Sequence, residues 1–304
     1  MNATRRDRLE LKGAMTALAT PFAEDGGLDL PALEGLVRWQ IDRGIHGLVP
    51  CGTTGEGATL TDEEHRQVIE TVVRSAAGRV PVIAGCGSND TRRTVAAARR
   101  SAEAGADALL VVSPYYNKPN RSGMIGHYEE VAAATELPVV VYNVPGRTGQ
   151  DLGAELILEL ARIPGIVAVK EASGNLDQIA TIVDGRPDGF SVLSGDDPLV
   201  LPTIALGAQG VISVVSNEAP REMARLVTAA LDGDLVEARA LHYRLLPLMR
   251  ANFLESNPVP VKTVLSLMGR IPGRLRAPLG PASDVTRNRL EEVLARVQPD
   301  QDVT

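Results

Sequence analysis

The sequence predicts an α/β fold, a (β/α)8 TIM barrel with a C-terminal helical extension. Short apolar runs rich in β-branched residues recur as far as Val214. Each run is followed by a polar, Gly-rich turn and then by an amphipathic helical stretch. Strands that alternate with helices indicate βαβ units and a parallel sheet. Eight such units in succession favour a closed barrel over a doubly wound sheet, and 304 residues exceed the ~250 that a barrel needs.

The apolar runs are the predicted strands, because uninterrupted apolar character suits strands buried on both faces. They cover Ala14–Thr20, Gly47–Pro50, Val80–Ala84, Ala108–Val112, Pro138–Tyr142, Ile166–Lys170, Phe190–Ser194 and Gly210–Val214. The first turn after a strand, Thr20–Ala23, carries no GxGxxG sequence. A doubly wound dinucleotide-binding sheet usually has that sequence at this point.

Helix signals lie between the strands. Thr61 with Glu64 three residues later predicts a capping box. Asn89–Thr91 opens an Arg- and Ala-rich helix that Gly105 closes. From about residue 234 the alternation stops, and stretches 235–252, 261–268 and 284–297 read as helices. We therefore expect a catalytic barrel over residues 1–233 and a helical extension over residues 234–304.

Composition excludes several classes of protein. The chain has 38 acidic against 31 basic residues, a net charge of -7, which argues against nucleic-acid binding. Its two cysteines are too few for a disulfide framework and suit a reducing cytosol. Residues 1–10 show no apolar export segment, and all apolar runs fall far short of the ~18 residues that span a bilayer. We expect a cytoplasmic protein without a nucleic-acid or membrane partner.

Lys170 is the sharpest candidate for chemistry. It ends a buried strand, and barrel active sites form at the C-terminal ends of strands. Burial there favours the neutral amine, which attacks carbonyls to form a Schiff base. The alternative is a structural lysine that reaches solvent or pairs with Glu171 or Glu56. Lysine is scarce and most bases are arginine, which would serve the structural role but cannot form a Schiff base. The lysines are Lys12, Lys118, Lys170 and Lys262.

Other polar side chains follow neighbouring strands. Tyr142 ends strand five, where a phenol beside an imine can carry protons, or can simply rest at the rim. Thr53 and Thr54 lie in the turn Gly52–Glu56, which offers hydroxyls and backbone N–H groups to a carboxylate or is an ordinary turn. Arg147 lies between Pro and Gly residues and is either a carboxylate-binding guanidinium or a surface arginine.

Other chemistries lack support. No histidine ends a predicted strand, which disfavours a zinc-dependent aldolase. Asp196 and Asp197 offer carboxylates to a hard cation, but capping of their loop is favoured. No serine lies in a GxSxG sequence of the hydrolase type. The histidines are His46, His65, His127 and His242.

Three segments, Gly52–Glu56, Tyr142–Thr148 and Val169–Ala172, resemble signatures of the dihydrodipicolinate synthase family. This family belongs to the pyruvate-dependent class I aldolases of the N-acetylneuraminate lyase superfamily. The likeness runs from about Gly13 to Ala282. It implies condensation of pyruvate, held as a lysine Schiff base, with L-aspartate-4-semialdehyde in the lysine and diaminopimelate pathway. Neither an organic cofactor nor an essential metal is implied. The likeness also includes Ser113–Pro119, Ser194–Asp197, Gly210–Ser213 and Asn257–Lys262.

The resemblance implies a role for each matching residue. Lys170 would form the Schiff base, and Tyr142 would be the general acid and base. Thr53 and Thr54 would hold the pyruvate carboxylate, with Thr53 also in a proton relay. Tyr116, or alternatively Tyr115, would complete that relay from a neighbouring subunit of a homotetramer built as a dimer of dimers.

Three further residues receive roles from the same resemblance. Arg147 would bind the carboxylate of the semialdehyde, and Gly195 and Ile212 would line the pyruvate pocket through backbone groups. Lysine-inhibited members of the family have a glutamate where this chain has Arg93. An arginine repels an ammonium group, so we expect weak or absent inhibition by lysine.

Two other functions stay open. The first is an aldolase or lyase for a 2-keto-3-deoxy sugar acid, which would differ in the second substrate. Sialic acid lyases of the superfamily typically have Ser-Thr in place of Thr53–Thr54 and lack an arginine at position 147, and both features favour the synthase. The second is a catalytically inactive barrel that binds a small molecule, which the presence of Lys170 and Tyr142 disfavours.

Overall fold

A computed structural model describes residues 11–299, so the expectation about an export segment in residues 1–10 lies outside the described residues. The strands are β1 Gly13–Ala17, β2 Gly47–Val49, β3 Ile83–Gly85, β4 Ala108–Val112, β5 Val139–Asn143, β6 Ile166–Glu171, β7 Ser191–Ser194 and β8 Gly210–Ser213. They form one parallel sheet in the order β2-β1-β8-β7-β6-β5-β4-β3.

The sheet curls until its two edge strands meet. Leu48 of β2 forms a parallel bridge with Val82, and its backbone N donates to the Pro81 carbonyl at 3.0 Å. The N of Gly85 donates to the Pro50 carbonyl at 2.9 Å. The predicted TIM barrel is therefore confirmed. Strand β3 begins three residues later than predicted, since Pro81 has no N–H for the ladder.

Helices surround the barrel. Both hydrogen bonds of the predicted capping box are present, from Thr61 N to Glu64 Oε2 at 2.9 Å and from Glu64 N to Thr61 Oγ1 at 3.2 Å. The helices are α1 Leu30–Asp42, α2 Asp62–Ala76, α3 Thr91–Glu103, α4 Arg121–Ala133, α5 Pro145–Thr148, α6 Gly153–Leu160, α7 Leu176–Gly185, α8 Val200–Ala205, α9 Pro220–Leu231, α10 Leu235–Ala251, α11 Val259–Leu267 and α12 Asp284–Val297. None of them is long and apolar enough to cross a membrane, within residues 11–299.

Apolar side chains fill the inside of the barrel below its C-terminal rim. Met15, Val49, Leu110 and Ile212 are among the residues of this inner cluster. A second, larger cluster lies between the strands and the surrounding helices. The inner cluster closes the lower barrel, so a ligand has access only from the rim where the strands end.

The C-terminal helix α11 and the segment after it are tied to that rim. Lys262 of α11 is fully buried, and its Nζ lies 2.6 Å from Glu56 Oε1 and 2.9 Å from the Thr20 carbonyl. The backbone N of Arg276 donates to the other Glu56 oxygen at 3.0 Å. Burial lowers the pKa of Lys262, and the Glu56 carboxylate opposes that change. The assignment of residues 234–304 to a separate extension stays a prediction.

Candidate active site

The register of β5 and β6 places Lys170 beside Tyr142. The two residues are direct partners across the parallel ladder, so their side chains leave the sheet on the same face. The Lys170 Nζ lies 4.3 Å from the centre of the Tyr142 ring. Both side chains are nearly buried, with 5% and 7% exposed. A primary amine and a phenol thus share one enclosed point at the rim.

The carboxylates considered as structural partners of Lys170 are engaged elsewhere. Glu56 pairs with Lys262, and the Glu171 carboxylate accepts from Asn143 Nδ2 at 2.9 and 3.1 Å and from Ser173 N at 2.7 Å. Burial raises the pKa of Glu171, and these hydrogen bonds oppose the rise. Lys170 takes part in none of the ion pairs found among residues 11–299. Its amine therefore has no structural counter-ion there.

Gly195 leaves the space that the lysine side chain occupies. A Cβ at this position would lie 2.7 Å from the Ala172 Cβ and 3.1 Å from the Lys170 Cε. The Gly195 backbone N donates to the Glu171 carbonyl at 2.7 Å, which fixes the turn after β7 against β6. A side chain at position 195 would displace the lysine.

Asn257 joins the two candidate carboxylate-binding groups. Its Nδ2 donates to Thr54 Oγ1 at 3.0 Å, and its carbonyl accepts from Arg147 Nη2 at 3.1 Å. The sequence assigned no role to Asn257, although it begins one of the segments that resemble the family. The contact with Thr54 spans 203 residues, so no local pattern signals it.

A cavity of about 370 Å³ contains this group of side chains. Of the predicted site residues, the cavity wall includes Thr53, Thr54, Tyr142, Arg147, Lys170 and Gly195. The structure places Ile212 elsewhere, with its side chain fully buried in the barrel interior, while Val214, two residues further on, reaches the wall. Asp196, Arg250 and Phe253 also line the cavity; each keeps part of its surface exposed, and we call these three residues the cavity mouth.

The two adjacent tyrosines lie outside that cavity. Tyr116 is 88% exposed and holds a left-handed backbone with a φ of 74°. Tyr115 lines a larger cavity of about 800 Å³, which also borders Thr53 and Arg147. Neither hydroxyl joins Lys170 within one copy of the chain.

The capping role favoured for the two aspartates is wrong. Asp196 makes no side-chain capping bond and faces the cavity, where burial raises its pKa. Asp197 is buried, and its Oδ2 accepts from Val214 N at 3.0 Å and Val215 N at 2.8 Å. The loop turns inward, so its carboxylates meet the cavity and the end of β8. Among residues 11–299 no group of three or more His, Cys, Asp or Glu side chains gathers as a metal site.

The fold and the site define an enzyme, a lyase of the class I aldolase type. The chain belongs to the Dihydrodipicolinate synthetase family, whose profile matches residues 10–297, and the resemblance read in the sequence is thereby confirmed. It is 52% identical over 287 residues to the 4-hydroxy-tetrahydrodipicolinate synthase of Acidobacterium capsulatum, covering 94% of this chain and 95% of that protein. The synthase of Methanothrix thermoacetophila is 50% identical over 287 residues, covering 94% of this chain and 97% of the relative.

Solved structures give the same result. The dihydrodipicolinate synthase of Aquifex aeolicus superposes with a TM-score of 0.93 at 45% identity, covering 96% of this chain and all of that one (100%). The chloride-inhibited enzyme of Acinetobacter baumannii, solved in complex with pyruvate, has a TM-score of 0.93 at 42% identity, covering 95% of this chain and 99% of that one.

Proposed function

We propose that this chain acts as a 4-hydroxy-tetrahydrodipicolinate synthase in lysine and diaminopimelate biosynthesis. It condenses pyruvate, bound to Lys170 as a Schiff base, with L-aspartate-4-semialdehyde. The observation that carries the proposal is the Lys170 Nζ, 4.3 Å from the Tyr142 ring and without a structural counter-ion. Relatives at about half identity over nearly the whole chain carry this activity in their names.

The chemistry follows from a primary amine beside a phenol. Lys170 Nζ adds to the ketone carbon of pyruvate, and water leaves to give the imine. Tyr142 carries the protons of both steps. The imine acidifies the methyl group, and the resulting enamine attacks the aldehyde carbon, forming the new C–C bond. The amino group of the second substrate then adds to the imine carbon, closes the ring and releases Lys170.

Two carboxylates have receptors in the cavity. Because Asn257 donates to Thr54 Oγ1, the hydrogen of that hydroxyl is free for the pyruvate carboxylate, with Thr53 beside it. The Arg147 guanidinium uses one N–H on the Asn257 carbonyl and has others for the carboxylate of the semialdehyde. Gly195 would contribute backbone groups only, and Ile212, which does not line the cavity, would support it from below.

Tyr116 would serve the site of a second copy. Its ring is exposed on the surface. Its backbone is left-handed, which costs a non-glycine residue about 1–3 kcal/mol. A contact of the Tyr116 side chain with a neighbouring subunit would account for both the exposure and the strained backbone. We infer a homotetramer of tight dimers in which Tyr116 completes the proton relay with Thr53 of the neighbour. A cytoplasmic location is part of the proposal and suits two buried, free cysteines.

The test is borohydride reduction in the presence of pyruvate, followed by intact mass and peptide mapping. We expect one adduct, on Lys170. It should disappear when the semialdehyde is added to the pyruvate-loaded protein before the borohydride. Lys262 is an internal control, because it is also buried but is bound to Glu56. An adduct that the semialdehyde does not discharge would indicate a sugar-acid aldolase. No adduct, or an adduct that persists in Lys170→Ala, would refute the Schiff-base role.

A further inference from the structure

Behind the cavity lies a buried glutamate for which the reaction has no use. Glu218 follows the 3-10 turn Val215–Asn217 at the end of β8 and is fully buried. Asn252, also fully buried, follows the last residue of α10. The Asn252 Nδ2 donates to Glu218 Oε2 at 2.9 Å.

The other oxygen of each group has no partner. Glu218 Oε1 and Asn252 Oδ1 are both buried and make no hydrogen bond within the described part of the chain. An ionised carboxylate and an amide carbonyl are both acceptors, so neither can satisfy the other. A single proton on Glu218 Oε1 would satisfy both, with the acid O–H donating to the amide oxygen while the amide N–H donates to the acid.

The surroundings of Glu218 favour a proton on its carboxyl group, because burial raises its pKa well above the ordinary value and Asp197 adds to the rise. Asp197 is the titratable neighbour that acts on it, and burial raises the pKa of both groups. Two backbone N–H groups and a serine hydroxyl oppose the rise at Asp197, whereas only Asn252 opposes it at Glu218. Glu222, one turn along on α9, lies 3.7 Å from Arg244 instead. Burial and the neighbouring Asp197 therefore both favour the neutral form of Glu218.

The pair connects two segments that build the cavity. On one side, Asn217 precedes Glu218, and its side chain binds the Ala17 carbonyl at 2.7 Å and the Ala19 N at 3.0 Å. On the other side, Asn252 precedes Phe253 of the cavity mouth and leads to Asn257. A bond between Glu218 and Asn252 thus holds the end of α10 against the end of β8.

We propose that Glu218 is a protonated carboxylic acid that forms a cyclic acid–amide pair with Asn252, and that this pair positions the mouth of the active-site cavity. Glu218 is a positioning residue, since it touches neither substrate nor Lys170. The link to activity rests on the proposed function, but the protonation state and the pairing do not.

The first test compares Glu218→Gln with Glu218→Leu. Glutamine keeps the shape and both hydrogen bonds, so kcat/KM for the semialdehyde stays within about twofold of wild type. Leucine leaves the Asn252 amide unpaired, so kcat/KM for the semialdehyde falls by about tenfold or more. Pyruvate trapping on Lys170 changes less, because the mouth and not the lysine is disturbed. If Glu218→Leu fails to fold, Glu218→Leu with Asn252→Leu replaces both partners and leaves no unpaired group.

The second test needs no substrate. Since Glu218 titrates above its unfolded value of about 4.3, wild-type stability falls with rising pH from there to the folded pKa. Glutamine does not titrate, so the melting temperature of Glu218→Gln gains on wild type over that window. Infrared difference spectra at neutral pH should show the carbonyl band of a protonated acid in wild type and not in Glu218→Gln.

Two results would overturn the inference. Absence of that infrared band, together with a pH-independent stability difference, would mean that Glu218 is ionised. Full activity of Glu218→Leu, with an intact fold, would mean that the pair does not position the cavity.

Discussion

Gly195→Ala tests the claim that the lysine side chain needs an empty position beside it. Gly195 has no left-handed backbone, so the substitution acts through space alone. Carbon atoms in contact lie at least ~3.5 Å apart. The new Cβ would lie 2.7 Å from the Ala172 Cβ and 3.1 Å from the Lys170 Cε, so these atoms must move by about 0.8 and 0.4 Å.

Both displacements have measurable costs. Overpacking of this size costs about 1–3 kcal/mol of stability, measured by urea unfolding. A misplacement of 1 Å at a reacting group costs about 100-fold in rate, so a shift near half that size should slow borohydride trapping of pyruvate by about tenfold. The protein should remain folded, because a cost of about 1–3 kcal/mol is smaller than the ~5–15 kcal/mol by which a typical protein is stable.

Ala172→Gly separates the two effects. It removes the 2.7 Å contact and leaves the 3.1 Å contact with Lys170. The double variant should therefore recover most of the stability and little of the trapping rate. Trapping at the wild-type rate in Gly195→Ala would refute the reasoning. Recovery of trapping in the double variant would show that Ala172 transmits the effect.

Three further predictions concern charged groups. Glu56→Gln leaves the buried Lys262 ammonium without a counter-charge and should lower the free energy of unfolding by about 3–5 kcal/mol. Urea titrations measure this difference, and a change within error would contradict the pairing. Arg147→Lys keeps the charge but loses the planar guanidinium, so KM for the semialdehyde should rise about tenfold while pyruvate trapping stays unchanged. An unchanged KM would show that Arg147 does not bind the substrate. Initial rates should respond weakly to added lysine. Because Arg93 lines the larger cavity of about 800 Å³, Arg93→Glu should strengthen inhibition by lysine. Tight inhibition of the wild type would contradict this prediction.

The strands and the rim could be predicted because their signals are local. A run such as Ile166–Lys170 between two turns is visible in a few residues, and the structure extends it by only one residue, to Glu171. Parallel strands then bring their ends together. Contacts between distant segments could not be predicted. Asn257 meets Thr54 across 203 residues, and Glu218 meets Asn252 across 34. The scarcity of lysine in the sequence indicated a specific role for Lys170. The same argument applies to Lys262, whose role is a buried ion pair with Glu56, so scarcity alone did not distinguish the two.

The pair Lys262–Glu56 spans 206 residues and has a consequence for biosynthesis. A ribosome completes β8 at Ser213 before Asn257 and Lys262 have been synthesised. At that stage the nascent barrel has all eight strands, yet Glu56 lacks its cation and Thr54 lacks its amide. Carbonyl chemistry at the rim thus has to await the C-terminal helices, and a prematurely terminated chain would be an exposed, inactive barrel suited to degradation.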